Sequence, residues 1–438
     1  MLIRFQVKNH LSFNEKVEIS MVKGKVRKHP NHVIETNYKG VKLLKSGIIY
    51  GANASGKSNL IKAMQFATQQ IIESHSIGHN QPITTIPFKL DKQCLTQPSF
   101  FEFTMLVNDV IYVYGFELTK TEVVNEWLYQ RQKNGKHLQL FERTNDETTG
   151  TALVEFGDYK STSHESLKKL NYCAETTGKN KLFLSNTVDD RFTDFRHVFD
   201  WFEDRIKFVF PSTNSAQLPM FSTNEELLGM FMTILNEFDT GVANLCVVPI
   251  NIERVRVPQQ FLDTIENDLE NDQGTLVHSD NDWYILKKEN GHLKFQQLMT
   301  EHESADGSLV KFELNEESDG TFRILNLIPV LLQLIHSEST FVIDEIGRSL
   351  HPNLSEKIIE IFLSQSTKSQ LILTTHESKL LDLDLLRRDE IWFVEKASTG
   401  ASSVYSLEEF EPRYDKDIRT AYLSGRFGGV ANLAPNSR

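Results

Sequence analysis

Gly51-Ala52-Asn53-Ala54-Ser55-Gly56-Lys57-Ser58 fits the pattern G-x-x-x-x-G-K-[ST] at every defined position. Ser46-Gly47-Ile48-Ile49-Tyr50 reads as a short apolar strand entering this loop, and residues 59–66 read as a helix leaving it. Strand, loop, helix is the order that a phosphate-binding loop requires. The glycines let successive backbone N–H groups turn inward, and the positive end of the following helix adds to the field around an anion. The reading is therefore a nucleoside triphosphate site in an α/β fold. Gly51, Asn53, Ala54, Ser55, Gly56, Lys57, Ser58 and Asn59 are the expected nucleotide contacts. Lys57 is expected to reach the β- and γ-phosphates, and Ser58 to ligate magnesium.

Such a loop needs acidic help, because the metal must be fixed and an attacking water oriented. Far along the chain, Thr340-Phe341-Val342-Ile343-Asp344-Glu345 is an apolar strand ending in two acids. Side chains there project into the crevice at the carboxyl edge of a parallel sheet. Asp344 is assigned to the magnesium shell and Glu345 to polarising water. A second apolar strand, Leu371-Ile372-Leu373-Thr374-Thr375, ends in His376, which is expected at the same edge and within reach of a γ-phosphate. His351, in Ser349-Leu350-His351-Pro352, is a weaker candidate. Ser318 and Gly320, in Glu317-Ser318-Asp319-Gly320-Thr321, lead into a helix expected over 321–336, where they offer either a second anion-binding surface or a plain helix cap.

Helices alternating with continuous apolar strands imply a largely parallel sheet buried on both faces. A further helix is expected over 354–363. The N-terminal residues 1–20 read as two short strands around Asn9 to Phe13, and 100–105 with 110–116 read as an antiparallel hairpin across Asn108-Asp109. A Gly/Pro/Asn-containing stretch, 78–87, breaks the pattern between them. Between about 145 and 305 the sequence turns polar, with helix-like stretches at 196–206 and 224–238 and a small hairpin near 283–286 and 293–295. The expected organisation is an N-terminal part of the head over 1–145, a mainly helical insertion over 146–305, and a C-terminal part of the head over 306–438.

The 438 residues allow two or three domains, and 39% hydrophobic with 24% charged residues is ordinary for a soluble globular protein. No apolar run approaches a membrane span and the start lacks the regions of a signal peptide, so a cytoplasmic protein without a membrane partner is expected. Cys94, Cys173 and Cys246 form no C-x-x-C pair, which points away from a zinc site. The net charge of −12 argues against a surface that attracts nucleic acid throughout. Lys23, Lys25, Arg27 and Lys28 are the densest basic cluster, read as a solvated loop with a nucleic-acid contact as the alternative.

The order of phosphate loop, Ser-x-Gly at a helix start, apolar strand with Asp-Glu, Ser-Leu-His-Pro loop and strand ending in histidine resembles the ABC-type ATPase heads of the SMC, RecF and OLD families. The resemblance covers about 1–120 and 305–395. It implies ATP and Mg2+ as ligands, and a head-to-head homodimer in which Ser318 and Gly320 of one subunit close over the γ-phosphate held by Lys57 of the other. It also implies that His376 is the switch histidine, that 349–352 is the loop at the dimer seam, and that Lys57, Glu345 and His376 are the catalytic set. Ser318-Asp319-Gly320 departs from the Leu-Ser-Gly-Gly-Gln of transporters, and Gln97 and Glu102 both compete for the glutamine loop. A finer resemblance is to the abortive-infection ATPases of bacterial phage defence, the AbiLi-like group to which the PARIS ATPase subunit is related. It rests on Phe13, Phe88-Lys89-Leu90, Glu126-Trp127-Leu128, residues 317–321 and the tail Ala421-Tyr422-Leu423-Ser424-Gly425-Arg426-Phe427-Gly428-Gly429.

The expected function is accordingly a magnesium-dependent ATPase that senses and regulates within an anti-phage system. It would dimerise around ATP to hold or release a separately encoded effector, a TOPRIM-like nuclease or toxin. The alternative is a RecF-like repair or recombination ATPase that clamps DNA; overall acidity and the lack of a coiled-coil arm weigh against that.

Overall fold

The computed structural model describes residues 1–78, 81–146, 151–157, 164–188, 194–213, 215, 218–221, 224–255, 257–270, 274–279, 282–411 and 417–430. Of the interrupted stretch 78–87, residues 79 and 80 lie outside these. The chain divides into two compact units, one of Met1–Pro211, Ser337–Gly347 and Glu360–Arg438, the other of Ser212–His336 and Arg348–Ile359.

The first unit is built on two sheets. The strand Ser46–Tyr50 lies between Gln370–Thr374 and Ile391–Lys396, and Thr340–Ile343 and Ile206–Val209 extend the sheet beyond Gln370–Thr374, all in parallel register. Ser402–Ser406 closes the other edge antiparallel to Ile391–Lys396. Every residue of Ser46–Tyr50, Thr340–Ile343 and Gln370–Thr374 is buried, as continuous apolar strands covered on both faces require. The second sheet has seven antiparallel strands in the order Ala152–Phe156, His137–Asn145, Val123–Arg131, Val110–Leu118, Ser99–Val107, Leu2–Lys8, Val17–Ser20. Its central hairpin turns at Asn108 and Asp109, with φ of 49° and 61°. Two consecutive left-handed residues match the right-handed twist of the flanking strands.

The helix Lys57–Glu73 unites the two sheets. Its Leu60, Ile61, Ala63, Met64, Ala67 and Ile71 share one buried cluster with Phe5, Phe101, Phe103 and Phe116 of the antiparallel sheet and Ile49, Val342, Ile372 and Trp392 of the parallel one. Gln370 ties the sheets by polar contacts as well, accepting from Leu2 N at 2.7 Å and donating to Leu2 O at 2.9 Å. Glu126, of the sequence motif Glu126-Trp127-Leu128, is fully buried; it accepts from Tyr114 Oη at 2.9 Å and from Phe183 N and Leu184 N at 2.6 and 2.9 Å. Burial raises its carboxyl above the ordinary carboxylate range, and the nearby Arg143 charge pulls it back.

The basic cluster 23–28 is bound into the first unit. Lys28 pairs with Asp384 at 2.6 Å, Gly24 N donates to Asp389, and the buried Arg387 donates to the carbonyls of Val26 and Lys28.

The second unit carries a sheet in which Val242–Ile250, His292–Glu303, Asp282–Glu289 and Gly274–Ser279 are neighbours and Leu309–Glu313 also pairs with His292–Glu303. Its core gathers Val255, Leu262, Val277, Tyr284, Leu286 and Phe295. The helix Glu225–Leu235 is capped by Asn224, whose Oδ1 accepts from Leu227 N, and packs on the helix Asp319–His336. Segment 146–305 is therefore mixed α/β instead of mainly helical. Its strands do not alternate cleanly, and Val242–Ile250 buries only two of nine residues fully, so the period-two signal was weak. The limits 145/146 and 305/306 fall inside the first and second units respectively. No described helix is long and apolar enough to cross a membrane.

Candidate nucleotide site

The loop 51–56 leaves its strand at the carboxyl edge of the parallel sheet, where the sequence requires tight backbone approach. A Cβ on Gly51 would meet Val394 O at 2.4 Å and Ser55 Oγ at 2.6 Å. Gly56 has φ 118° and faces Ser402 and Ser12, while Ser402 Oγ donates to Ser55 O at 2.6 Å. Ala54 also takes a left-handed φ of 61°. The first helical bond closes from Leu60 N to Gly56 O, and no side chain caps the helix start. The N–H groups of Lys57, Ser58 and Asn59 thus lie ahead of the first intrahelical bond at the positive end of the helix, a ready cradle for an anion. The Ser55 hydroxyl beside them is buried without a hydrogen-bond partner.

Lys57 Nζ donates to Gly51 O at 2.8 Å and Ala52 O at 3.0 Å, and lies 3.3 Å from His376 Nδ1. Burial holds its ammonium down at about 8, against the upward pull of Glu345 and Asp344. Ser58 Oγ donates to Asp344 Oδ1 at 3.1 Å. The same oxygen accepts from Thr374 Oγ1 at 2.6 Å, and that hydroxyl in turn accepts from Glu345 N at 2.8 Å. Glu345 has φ 50°, a costly conformation for a non-glycine residue that the surrounding bonds enforce. Its Oε1 stands 3.9 Å from His376 Nε2. Burial and the Lys57 charge lower the His376 imidazole below its ordinary value, while Glu345 and Asp344 oppose this.

Lys57, Ser58, Asp344, Glu345 and His376 are thus gathered at one sheet edge within the first unit. Ser318 and Gly320 belong to the second unit. There Ser318 Oγ accepts from Thr321 N at 3.1 Å, and a Cβ on Gly320 would stand 3.1 Å from Ser349 O. Glu317 anchors this segment to the strand His292–Glu303, accepting from Thr300 Oγ1 at 2.5 Å with His302 Nε2 at 2.7 Å. Ser349 has φ 64°, and His351 Nδ1 accepts from Asn353 N at the start of the helix Pro352–Gln365, which makes it a cap. Of the two glutamine-loop candidates, Glu102 accepts from Trp127 Nε1 at 3.1 Å and pairs with Arg4, while Gln97 is exposed. Thr374 carries no expected role in the sequence, because a threonine inside an apolar strand reads as ordinary β-branched filling.

The residues fit a magnesium nucleotide. Ser58 Oγ and Asp344 Oδ1 are hard oxygen donors side by side, and among the described residues no group of three or more His, Cys, Asp or Glu forms an all-protein metal cage. Magnesium typically takes one or two carboxylates and completes its shell with water and phosphate oxygens.

Among solved structures, an SMC head bound to the C-winged helix domain of ScpA is 12% identical, with 94% of this chain and 99% of that chain covered and a TM-score of 0.41. The SMC head domain from Thermotoga maritima is 12% identical, with 92% and 98% covered and a TM-score of 0.38. An Smc head with an extended coiled coil, bound to the C-terminal domain of ScpA derived from Pyrococcus furiosus, is 12% identical, with 94% and 99% covered and a TM-score of 0.38. No curated protein matches the sequence. The family described as "AAA domain, putative AbiEii toxin, Type IV TA system" matches residues 48–169 and 249–382, which include the loop, Ser318, Gly320 and the acidic strand. With more than half of its residues so matched, the chain belongs to that AAA-domain family.

Proposed function

We propose that this chain is a cytoplasmic, magnesium-dependent ATPase that dimerises around ATP and uses the nucleotide state to hold or release an effector in an anti-phage, abortive-infection system. The observation that carries the ATPase reading is the meeting of Ser58 and Asp344 at 3.1 Å, with Lys57 and Glu345 beside them. The regulatory reading is supported by the family description, which names a putative AbiEii toxin of a Type IV TA system. A nuclease or toxin encoded separately is the partner this reading calls for.

In this reading the loop N–H groups and Lys57 bind the polyphosphate, and Ser58 and Asp344 hold magnesium. Magnesium held there would supply charge neutralisation for the polyphosphate. Glu345 accepts a proton from the attacking water, and its left-handed backbone, tied to Thr374, aims the carboxylate. His376, kept neutral by burial and Lys57, orients beside Glu345 and contacts the γ-phosphate. Ser318 and Gly320 act on the nucleotide of a second copy.

The test is phosphate release from ATP by the full chain with and without magnesium. Slow, magnesium-dependent hydrolysis that disappears in Lys57→Ala is expected. Hydrolysis that survives Lys57→Ala assigns the activity to something other than this site.

A further inference from the structure

The tail Ala421–Gly429 has no part in the chemistry above, yet its backbone reaches the root of the phosphate loop. The helix Ile418–Leu423 ends where Gly425 N donates to Tyr422 O, and the chain then passes through Gly428 and Gly429, both left-handed with φ of 68° and 67°. A Cβ on Gly429 would stand 3.6 Å from Gly51 Cα, 3.6 Å from Tyr422 Cε2 and 3.7 Å from Val394 O. One on Gly428 would strike Tyr405 Oη at 2.4 Å. The turn therefore rests on the first residue of the loop, and only glycine takes this path there without strain.

Three features hold the turn down. Tyr422 Oη donates to Gly429 O at 3.1 Å, and Tyr405 Oη donates to Phe427 O at 2.7 Å. The rings of Tyr422 and Phe427 lie against Phe393 at 5.4 and 5.9 Å, each 18° from parallel. Phe393 pairs in register with Tyr50, the residue before Gly51. The Gly51 carbonyl is the acceptor for Lys57 Nζ at 2.8 Å, and its backbone also hydrogen-bonds His376.

We propose that the tail segment Tyr422–Gly429 is a positioning element of the nucleotide site: by seating Gly429 on Gly51 it fixes the carbonyl that aims Lys57. The inference rests on the ATP reading above. A mere cover for the strand Ile391–Lys396 would be supplied by the rings of Tyr422 and Phe427 alone. It would not need two consecutive left-handed glycines and a tyrosine hydroxyl spent on the Gly429 carbonyl.

The test uses the full chain with magnesium ATP and two variants. Tyr422→Phe keeps the ring and removes only the hydroxyl; Gly429→Ala adds a Cβ at a strained φ against the loop. Loss of one hydrogen bond predicts a rise in KM for ATP of about 2- to 10-fold in Tyr422→Phe. Gly429→Ala, with strain of about 1 kcal/mol or more, predicts a rise of at least ~5-fold. In both, kcat at saturating ATP stays within about twofold and the melting temperature of Tyr422→Phe stays that of the parent, which a loss of folded protein does not produce. Unchanged KM in both variants of an active parent overturns the positioning role and leaves the ATPase reading standing. A fall in kcat that tracks a fall in melting temperature, with KM unchanged, also overturns it. A parent chain that neither binds nor hydrolyses ATP removes the ATPase reading, and this inference with it.

Discussion

The Thr374 hydroxyl donates to Asp344 Oδ1 at 2.6 Å, on the same oxygen that Ser58 reaches at 3.1 Å. Because it also accepts from Glu345 N, one hydroxyl fixes both acids that end the neighbouring strand.

Thr374→Val keeps the strand's shape and removes this link. Partners of metal-holding groups typically matter by about 10- to 100-fold, and the variant is expected to weaken magnesium by an amount in that range. Magnesium titration of ATP hydrolysis checks it; an unchanged half-saturating concentration contradicts the role of Thr374.

Glu345→Gln removes the proton acceptor and leaves the loop untouched. Hydrolysis is expected to fall by about 100-fold or more, while ATP binding remains. ATP should then accumulate in a closed dimer, read as a doubled mass by light scattering with magnesium ATP. A variant hydrolysing as fast as the parent shows that another group activates the water.

The acid strand and the loop were legible because each is a short apolar run ending in the polar residues of the candidate site. The hairpin at Asn108-Asp109 was legible for a similar reason, since its turn chemistry is local. In the second unit the hairpin expected near 283–286 and 293–295 was legible and is found as Asp282–Glu289 paired with His292–Glu303, whereas Val242–Ile250 and Gly274–Ser279 were not, because they mix exposed and buried residues without a period. Nor does any local pattern announce that Glu345 is left-handed, or that Gly429 lies on Gly51. Those features arise from packing between segments far apart in sequence, which a motif records only as unexplained residues.

Lys57 titrates at about 8 in the fold, lowered by burial. Free lysine lies near ~10.4, so between these values the unfolded chain binds more protons and this group's contribution to stability rises with pH. That contribution is present in full above the unfolded value and is lost as pH falls through about 8. Nucleotide binding runs the other way, because it needs the ammonium. ATP affinity is expected to fall by up to ~10-fold per pH unit above that point. Calorimetric titration across this range checks the slope; a flat profile means that Lys57 stays charged or does not contact the nucleotide.

Glu126→Leu leaves Tyr114 Oη, Phe183 N and Leu184 N without their buried acceptor and Arg143 without its nearby charge. A loss of about 3 kcal/mol is expected from urea unfolding. ATP binding by the folded fraction should persist, since Glu126 makes no contact with the loop side chains. A stability equal to the parent's contradicts the role of Glu126 as the shared buried acceptor.

The composite site is tested most directly by mixing two inactive chains, Lys57→Ala and Ser318→Arg, and measuring ATP hydrolysis. A head-to-head heterodimer of these variants pairs the intact Lys57 of one chain with the intact Ser318 of the other. Random pairing then restores about one quarter of the parent's sites, so recovery to roughly that fraction of parent activity is expected. Activity in Ser318→Arg alone, or a mixture as inactive as its components, contradicts a site shared between two copies.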